Sequence, residues 1–494
     1  MRFSMNIKHK APIKYLVFLI IGSVCIANTD YNGSYLPDLG DSDRQEISQS
    51  EANFLGHRVL QDITTQGSML DDADTITYLN NLGNELVSYS TMAGYSFHFY
   101  LMNGEEINAF ALPGGYICLY NGLIYTTHTE AELASVMSHE VGHIVQHHVF
   151  RNIAASNRNQ WVALAGVLAG GLLSLANPAA AALAVQGGQG MAIQNMLSFS
   201  RDFEREADRV GQKLMYQDGF DPHAMPSFFK RLQDTHKFND NQAYAFLRTH
   251  PVTSERIKEA EFRANQMPVR MRPDSNSFLL IREKAREHHL GPIAAINFYQ
   301  KAIQTKKYVS LDAQYYGLAF AYFINHNPNK AMDSLVKIKD PKFIDHPIVL
   351  NLKAALFTIM KKYDNADQIY KDALEKFPSY KGLWLGQIDF YLQAKKLKDA
   401  STKLDDLSRI YANDMDIWIR EAILYSDAKL DNPQRYHYAL ANQFYLKENY
   451  TAAIEQFEMA LKVKNGDQIL NDIINAKIIK LRIAIKENQI YINP

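Results

Sequence analysis

The chain has 494 residues, too many for one ordinary domain and suited to two or three, and its 47% hydrophobic content is enough for real cores. Its 52 basic and 53 acidic residues leave a net charge of −1, so nothing global directs it to nucleic acid. With only two cysteines, Cys25 and Cys118, it is not a disulfide scaffold.

Arg2, Lys8, Lys10 and Lys14 precede an apolar run from Tyr15 to Ala27, and polar Asn28-Thr29-Asp30 follows. That is the order of a secretory signal peptide, and the run is too short for an ordinary spanning helix. Residues 1–27 are read as that signal, cleaved after Ala27; an uncleaved anchor is the alternative. Bulky Val24 makes Gly22-Ser23-Val24-Cys25 a poor lipobox. Export without an internal disulfide fits a bacterial periplasm. Residues 28–45 are polar and turn-rich, a linker.

Glu51–Leu60 and Asp72–Tyr89 carry a helical apolar period. Tyr95–Met102 alternates as a strand does, and Asn103-Gly104-Glu105-Glu106 turns it. Ala109–Leu112, the Pro113-Gly114-Gly115 turn and Tyr116–Tyr120 predict a strand pair.

Thr129 and Glu132 form a T-x-x-E capping box, and Leu133, Val136, Met137, Val141, Ile144 and Val145 keep a helical period behind it. Inside this helix lies His139-Glu140-Val141-Gly142-His143, an H-E-x-x-H. Residues four apart share a helix face, so His139 and His143 can converge on one metal ion. Glu140, one step round, is placed to take a proton from water there. Two histidines on a solvated face are the plain alternative, so the motif needs a third ligand. His147 and His148 continue this helix, with His147 near the metal face as a supporting residue.

The segment that follows is odd. Trp161–Leu175 is apolar, Asn177-Pro178 breaks it, Ala179–Val185 is alanine-rich and Gly187-Gly188-Gln189-Gly190 ends it. A short helical hairpin fits. Residues 161–185 are read as a lid, as a surface touching membrane or unfolded substrate, or as a buried hairpin; neither arm is long enough to cross a bilayer.

After Glu140 no Asp or Glu occurs until Asp202, and the third histidine of a metzincin is missing, since Val149 stands in its place. The next acidic cluster is Arg201-Asp202-Phe203-Glu204-Arg205-Glu206-Ala207-Asp208, on a helix that Gly219 stops. Glu204 and Asp208 share a face and Glu206 points elsewhere. The simplest site is therefore one zinc ion per chain on His139, His143 and Glu204, with Asp208 orienting a ligand histidine. A salt-bridged surface helix is the alternative for this cluster.

H-E-x-x-H followed at a distance by Ser200-Arg201-x-x-Glu204-x-Glu206-Ala207-Asp208 resembles the M48 zinc metallopeptidases. Two more stretches resemble them: Asn108-Ala109-Phe110-Ala111-Leu112-Pro113-Gly114-Gly115-Tyr116 and His250-Pro251-x-x-x-x-Arg256. The four stand in the family's order over roughly residues 46–265. The resemblance implies an α+β zincin-type fold, mostly helical with a small sheet, and Glu204 as third ligand. It also implies that Asn108, Ala109, Phe110 and Ala111, on an exposed edge strand, hold an extended substrate by strand addition; an ordinary hairpin is the alternative. By the same resemblance His250 approaches the metal or the transition state, with Arg256 near it. Arg256 otherwise pairs with a carboxylate to hold the fold.

From about Ser275 the strand signals stop. Ala295, Ala331, Ala366 and Ala400 recur every 34 to 36 residues, each opening a helix. Leu350, Ala354, Phe357, Ala366, Tyr370, Ala373 and Pro378 match the tetratricopeptide pattern position by position, and Ala441, Phe444, Ala453, Phe457 and Ala460 give a second good unit. Residues 405–435 are in poorer register, and Asn471–Ile490 reads as a final helix. The expected architecture is thus a metallopeptidase domain over 46–270 and an all-α tetratricopeptide solenoid over 275–494, whose concave face binds other proteins; a spacer or dimerisation surface is the alternative. An exported peptidase with such a solenoid resembles periplasmic proteases that police outer-membrane β-barrel proteins. That resemblance implies misfolded polypeptides as substrates and the barrel assembly machinery as partner. The alternative is a chaperone-like scaffold with a vestigial site, against which intact Glu140 argues.

Overall fold

A computed structural model describes residues 49–65, 68–155, 199–237, 246–270, 272–427, 430 and 432–492. The stretches read as signal peptide (1–27) and linker (28–45), and the 161–185 segment, lie outside them. Two helices come first, α1 (Gln49–Thr65) and α2 (Ala73–Ser88), followed by β1 (His98–Met102), β2 (Ala109–Leu112) and β3 (Tyr116–Tyr120). Asp72 caps α2, its carboxylate accepting from the Asp74 and Thr75 amides.

β3 is the central strand. It pairs parallel with β1, His98 opposite Tyr116, and antiparallel with β2, Ala109 opposite Leu119. The turn at 103–106 therefore joins strands that are not neighbours. Gly114 and Gly115 make the β2–β3 turn at φ of 83° and 91°, where an L side chain is strained. Alternation along the strands serves two cores. Phe99, Leu101, Ala109, Ala111, Ile117 and Leu119 face the main core with α2, whereas Met102, Phe110, Leu112 and Cys118 pack with Val59 and Leu60 of α1. β2 is the sheet edge that the sequence predicts, but it is not exposed. All four of its residues are buried, because α1 lies on one face and the main core on the other.

Next come α3 (Asn121–Thr126), α4 (Glu130–Val145), α5 (His148–Ala155), α6 (Arg201–Gln217), α7 (Ala224–Lys237) and α8 (Ser254–Asn265). The cap at Thr129 forms, its hydroxyl accepting from the Glu132 amide, while the Glu132 carboxylate reaches one residue further back than in a capping box and accepts from the His128 amide.

Helices only follow: α9 (Asn276–Leu290), α10 (Pro292–Thr305), α11 (Leu311–Ile324), α12 (Pro328–Leu335), α13 (Pro341–Ile344), α14 (Pro347–Ile359), α15 (Tyr363–Lys376), α16 (Lys381–Gln393), α17 (Leu397–Ile410), α18 (Met415–Tyr425), α19 (Pro433–Leu446), α20 (Tyr450–Leu461) and α21 (Gln468–Ile492). Ala295, Ala331, Ala366, Ala400 and Ala453, the small residues of the repeat, are all fully buried where helices cross. Ala439 of α19 packs on Trp418 and Ala422 of α18, while Ala441 of the same helix packs with Phe457 of α20. α19 thus packs on α18 with one set of small residues and on α20 with another.

The helical array is not a separate appendage. One hydrophobic core runs without a break from Tyr78 to Leu356. Buried Lys284 of α9 lies 2.5 Å from Asp72 and 3.0 Å from Asp74, and the Ser275 amide and hydroxyl donate to Glu130 at 2.7 Å. At the far end, Glu448 in the α19–α20 turn meets His57 at 3.0 Å and Arg58 at 3.5 Å on α1. The array therefore curves back onto the first helix. Among the described residues no helix is long and apolar enough to cross a membrane.

Candidate metal centre

Helices α4 and α6 approach at backbone contact. A Cβ on Gly142 would stand 2.9 Å from the Ala207 carbonyl oxygen, and one on Gly211 would stand 2.8 Å from the His139 nitrogen. This crossing lays His139 and His143 over Glu204 and Asp208. Gly211→Ala is expected to force the helices apart, costing about 1–3 kcal/mol and weakening metal binding, as thermal unfolding with and without zinc would show.

His139 Nε2 and His143 Nε2 lie 3.0 Å apart, and Glu204 carboxylate oxygens lie 3.5 and 3.4 Å from them. His250 Nδ1 is 3.0 Å from Glu204 and 3.4 Å from His139 Nε2. One donor atom from each of these four residues falls within 4.8 Å of the others, and none of the residues is more than 1% exposed.

The neighbours fix which nitrogen faces inward. His139 Nδ1 lies 3.0 Å from Asp208, which leaves Nε2 with its lone pair toward the group. His143 Nδ1 lies 2.9 Å from His148 Nδ1, and His148 Nε2 lies 3.2 Å from Glu206, itself held by Arg151 at 2.7 Å. Burial pushes His148 down to about 4, so it is neutral. Its Nε2–H donates a hydrogen bond to Glu206 and its Nδ1 accepts one from His143 Nδ1–H, which leaves His143 Nε2 bare. Two converging imidazole lone pairs and a carboxylate are chemistry that fits a cation. Burial works against charge on His139, yet Asp208 and Glu204 raise it to about 10, so a bound cation would take the place of the proton on Nε2.

Glu140 sits beside the group, fully buried, with Oε1 3.5 Å from His250 Nε2. Among the described residues neither of its oxygens has a well-aligned hydrogen-bond partner, nor has His250 Nε2. Burial raises the Glu140 carboxyl, opposed by His250 and His139. That is the environment of a base with a use for its lone pairs.

Arg256 is wholly buried. Its Nε and Nη2 each donate to Asp208 at 2.7 Å, and Nη1 lies 2.6 Å from Glu204 and donates to the Pro251 carbonyl at 2.9 Å. Its donors are committed to carboxylates and backbone, so the geometry serves the pairing alternative and not an oxyanion. Despite burial, His250 and then Arg256 hold Glu204 well below the carboxylate range, and Arg256 with His139 lowers Asp208. Ala109, Phe110 and Ala111 lie buried on β2 and half-buried Asn108 just before it.

Two sequence expectations are corrected. Helix α4 stops at Val145, and His147 takes a left-handed φ of 53°. The break turns His148, not His147, onto His143. Glu206 does not point away either, since it backs His148. Rings wall the group: Phe199 stacks on His143 at 4.1 Å, Phe203 on His148 at 4.6 Å and Phe246 on His250 at 4.8 Å. Phe203 lies within the acidic cluster, on the apolar face of its helix; sequence reasoning missed Phe199, just before the cluster, and Phe246.

This site lies within residues 74–264, which match the model of peptidase family M48; residues 358–419 match a tetratricopeptide repeat model. The chain thus carries an M48 peptidase domain followed by tetratricopeptide repeats. It is 34% identical over 279 residues to the β-barrel assembly-enhancing protease of Escherichia coli strain K12, covering 56% of this chain and 57% of that protein. The protein of the same name in Yersinia pestis is 35% identical over 244 residues, 49% of this chain and 50% of that one. The mitochondrial metalloendopeptidase OMA1 of Schizosaccharomyces pombe is 30% identical over 190 residues, 38% of this chain and 52% of that protein. The chain spans about half the length of each of these relatives.

Proposed function

We propose that the protein is a zinc-dependent endopeptidase, with one zinc ion per chain on His139, His143 and Glu204. The observation that carries this reading is Glu140, a buried carboxylate without a well-aligned hydrogen-bond partner among the described residues, beside a cation-binding donor set. A zinc ion held there supplies Lewis-acid polarisation of the scissile carbonyl and acidifies water. Glu140 takes the proton of the attacking water and delivers it to the leaving amine. Asp208 and His148 hold the two ligand imidazoles in the tautomer that presents Nε2. Arg256 is a positioning residue that keeps Glu204 and Asp208 ionised. β2, with Asn108 before it, receives the extended substrate once its cover moves.

His250 is the fourth member of the donor group, the place an open catalytic site keeps for water. We read this conformation as latent: His250 closes the centre until substrate displaces it. The test is casein hydrolysis by the purified protein beside His250→Ala. Latency predicts faster cleavage by the variant, whereas slower cleavage assigns His250 to transition-state stabilisation instead.

The substrates we infer are misfolded or stalled polypeptides, since a buried site of this kind cuts chains loose enough to be drawn in. The relatives' name speaks of β-barrel assembly, and a repeat array that curves back toward the peptidase suits recruitment of an outer-membrane assembly partner, in a periplasmic setting. Residues 46–270 would cut and residues 275–494 would recruit. A chaperone-like scaffold is the second reading, favoured by the closed donor group; continued silence of His250→Ala would move the weight to it.

A further inference from the structure

Helix α21 has two apolar faces. The inner one seats Ile474, Ile478 and Leu481 against Ala453, Phe457 and Ala460 of α20, which fixes the rotation of the helix. The outer one presents Ile469, 73% exposed, Ile473, 44%, Ile479, 61%, and Ile483, 52%. Exposed Ala476 lies in the middle of this stripe. On a helix these five fall within roughly a third of a turn of one another, a continuous stripe. A solenoid helix with a polar outer face ends the stack, whereas one with an apolar outer face invites another helix onto it.

The stripe is self-complementary. Reversing the helix about Ala476 carries Ile469 onto Ile483 and Ile473 onto Ile479. The same reversal brings Asp472, exposed on the stripe, opposite Lys480, also exposed. Asp472 accepts only a 3.3 Å bond from Gln468 of its own helix, and Arg482 is held to Glu458 at 2.9 Å, away from the stripe. Self-matching of this kind, with each residue meeting its mirror in sequence, is what a two-fold interface requires. The small side chain of Ala476 at the centre lets two backbones approach.

We propose that α21 is a self-association surface, through which two copies of the chain pair antiparallel about a two-fold axis at Ala476. Each copy contributes four isoleucines and one Asp472–Lys480 pair in each direction.

The test is sedimentation velocity of the purified full chain over a range of concentrations, with Lys480→Asp, Asp472→Lys and the double exchange. The expected result is a concentration-dependent dimer that either single exchange weakens at least about tenfold, since each sets like charges opposite one another. The double exchange restores it, which no loss of folding would do. Ala476→Cys in a Cys25→Ser background adds an independent readout: under oxidation it should give a covalent dimer that Cys25→Ser alone does not, since Cys118 is buried. A monomer at every concentration would overturn the proposal and leave the stripe to a foreign helix or a lipid surface. A dimer indifferent to both single exchanges, or an oxidised Ala476→Cys protein that stays monomeric, would overturn it as well.

Discussion

Glu140→Gln is expected to abolish cleavage while leaving metal content unchanged. The side chain is fully buried and, among the described residues, makes no well-aligned hydrogen bond, the Ala111 amide being the backbone donor that bears on it, so an isosteric amide removes the negative charge and the basic lone pair without emptying space. Its oxygens belong to no member of the donor group, and His139, His143 and Glu204 keep their own supports in Asp208, His148 and Arg256. The loss should be about 10²–10⁴-fold, the range for a positioned general base. Casein cleavage and zinc content, measured on the same preparations in the wild-type and His250→Ala backgrounds, check this. A variant that loses zinc together with activity would move Glu140 from base to structural support.

Arg256→Ala is expected to be the most destabilising single change near the site. The guanidinium is buried, bridges Glu204 and Asp208, and stacks 4.9 Å over Phe229. Without it two carboxylates are left together in an environment with little water. Removing one partner of such a buried pair costs about 3–5 kcal/mol. The damage should spread to the metal, because Asp208 orients His139 and Glu204 is itself in the donor group. Chemical denaturation should therefore show a stability loss in that range for the metal-free protein. Zinc affinity should fall about 10–100-fold, as it does when a residue supporting a ligand is removed. Arg256→Lys should recover only part of either, since a lysine keeps the charge but not the paired contacts to Asp208. An Arg256→Ala protein of unchanged stability would contradict this account of the arginine.

The core of the site was legible because its spacing is helical and local. Four residues separate His139 from His143 and Glu204 from Asp208, and each pair lies on an uninterrupted helix, so shared faces follow from the period alone. Glu140 followed from the same register. What was not legible depends on breaks and on long-range packing. His148 stands five residues from His143, which an unbroken helix would not align; only the left-handed turn at His147 aims it correctly. Arg256 was ambiguous between two roles because nothing local places it against α6. The strand order put β3 between β1 and β2, which no turn signal announces. The edge strand is covered by α1, and the contact of Glu448 with His57 and Arg58 joins residues nearly the whole chain apart. The repeats were read from buried alanines, which mark helix crossings directly.

The most direct test of the central claim is the zinc content of the purified chain beside His143→Ala and Glu204→Ala, after exhaustive dialysis and with folding checked by circular dichroism. A centre built across α4 and α6 predicts one zinc per chain in the wild type, and its loss from both folded variants. Zinc retained at full occupancy in either variant, or a wild type that binds none when zinc is supplied, would contradict it.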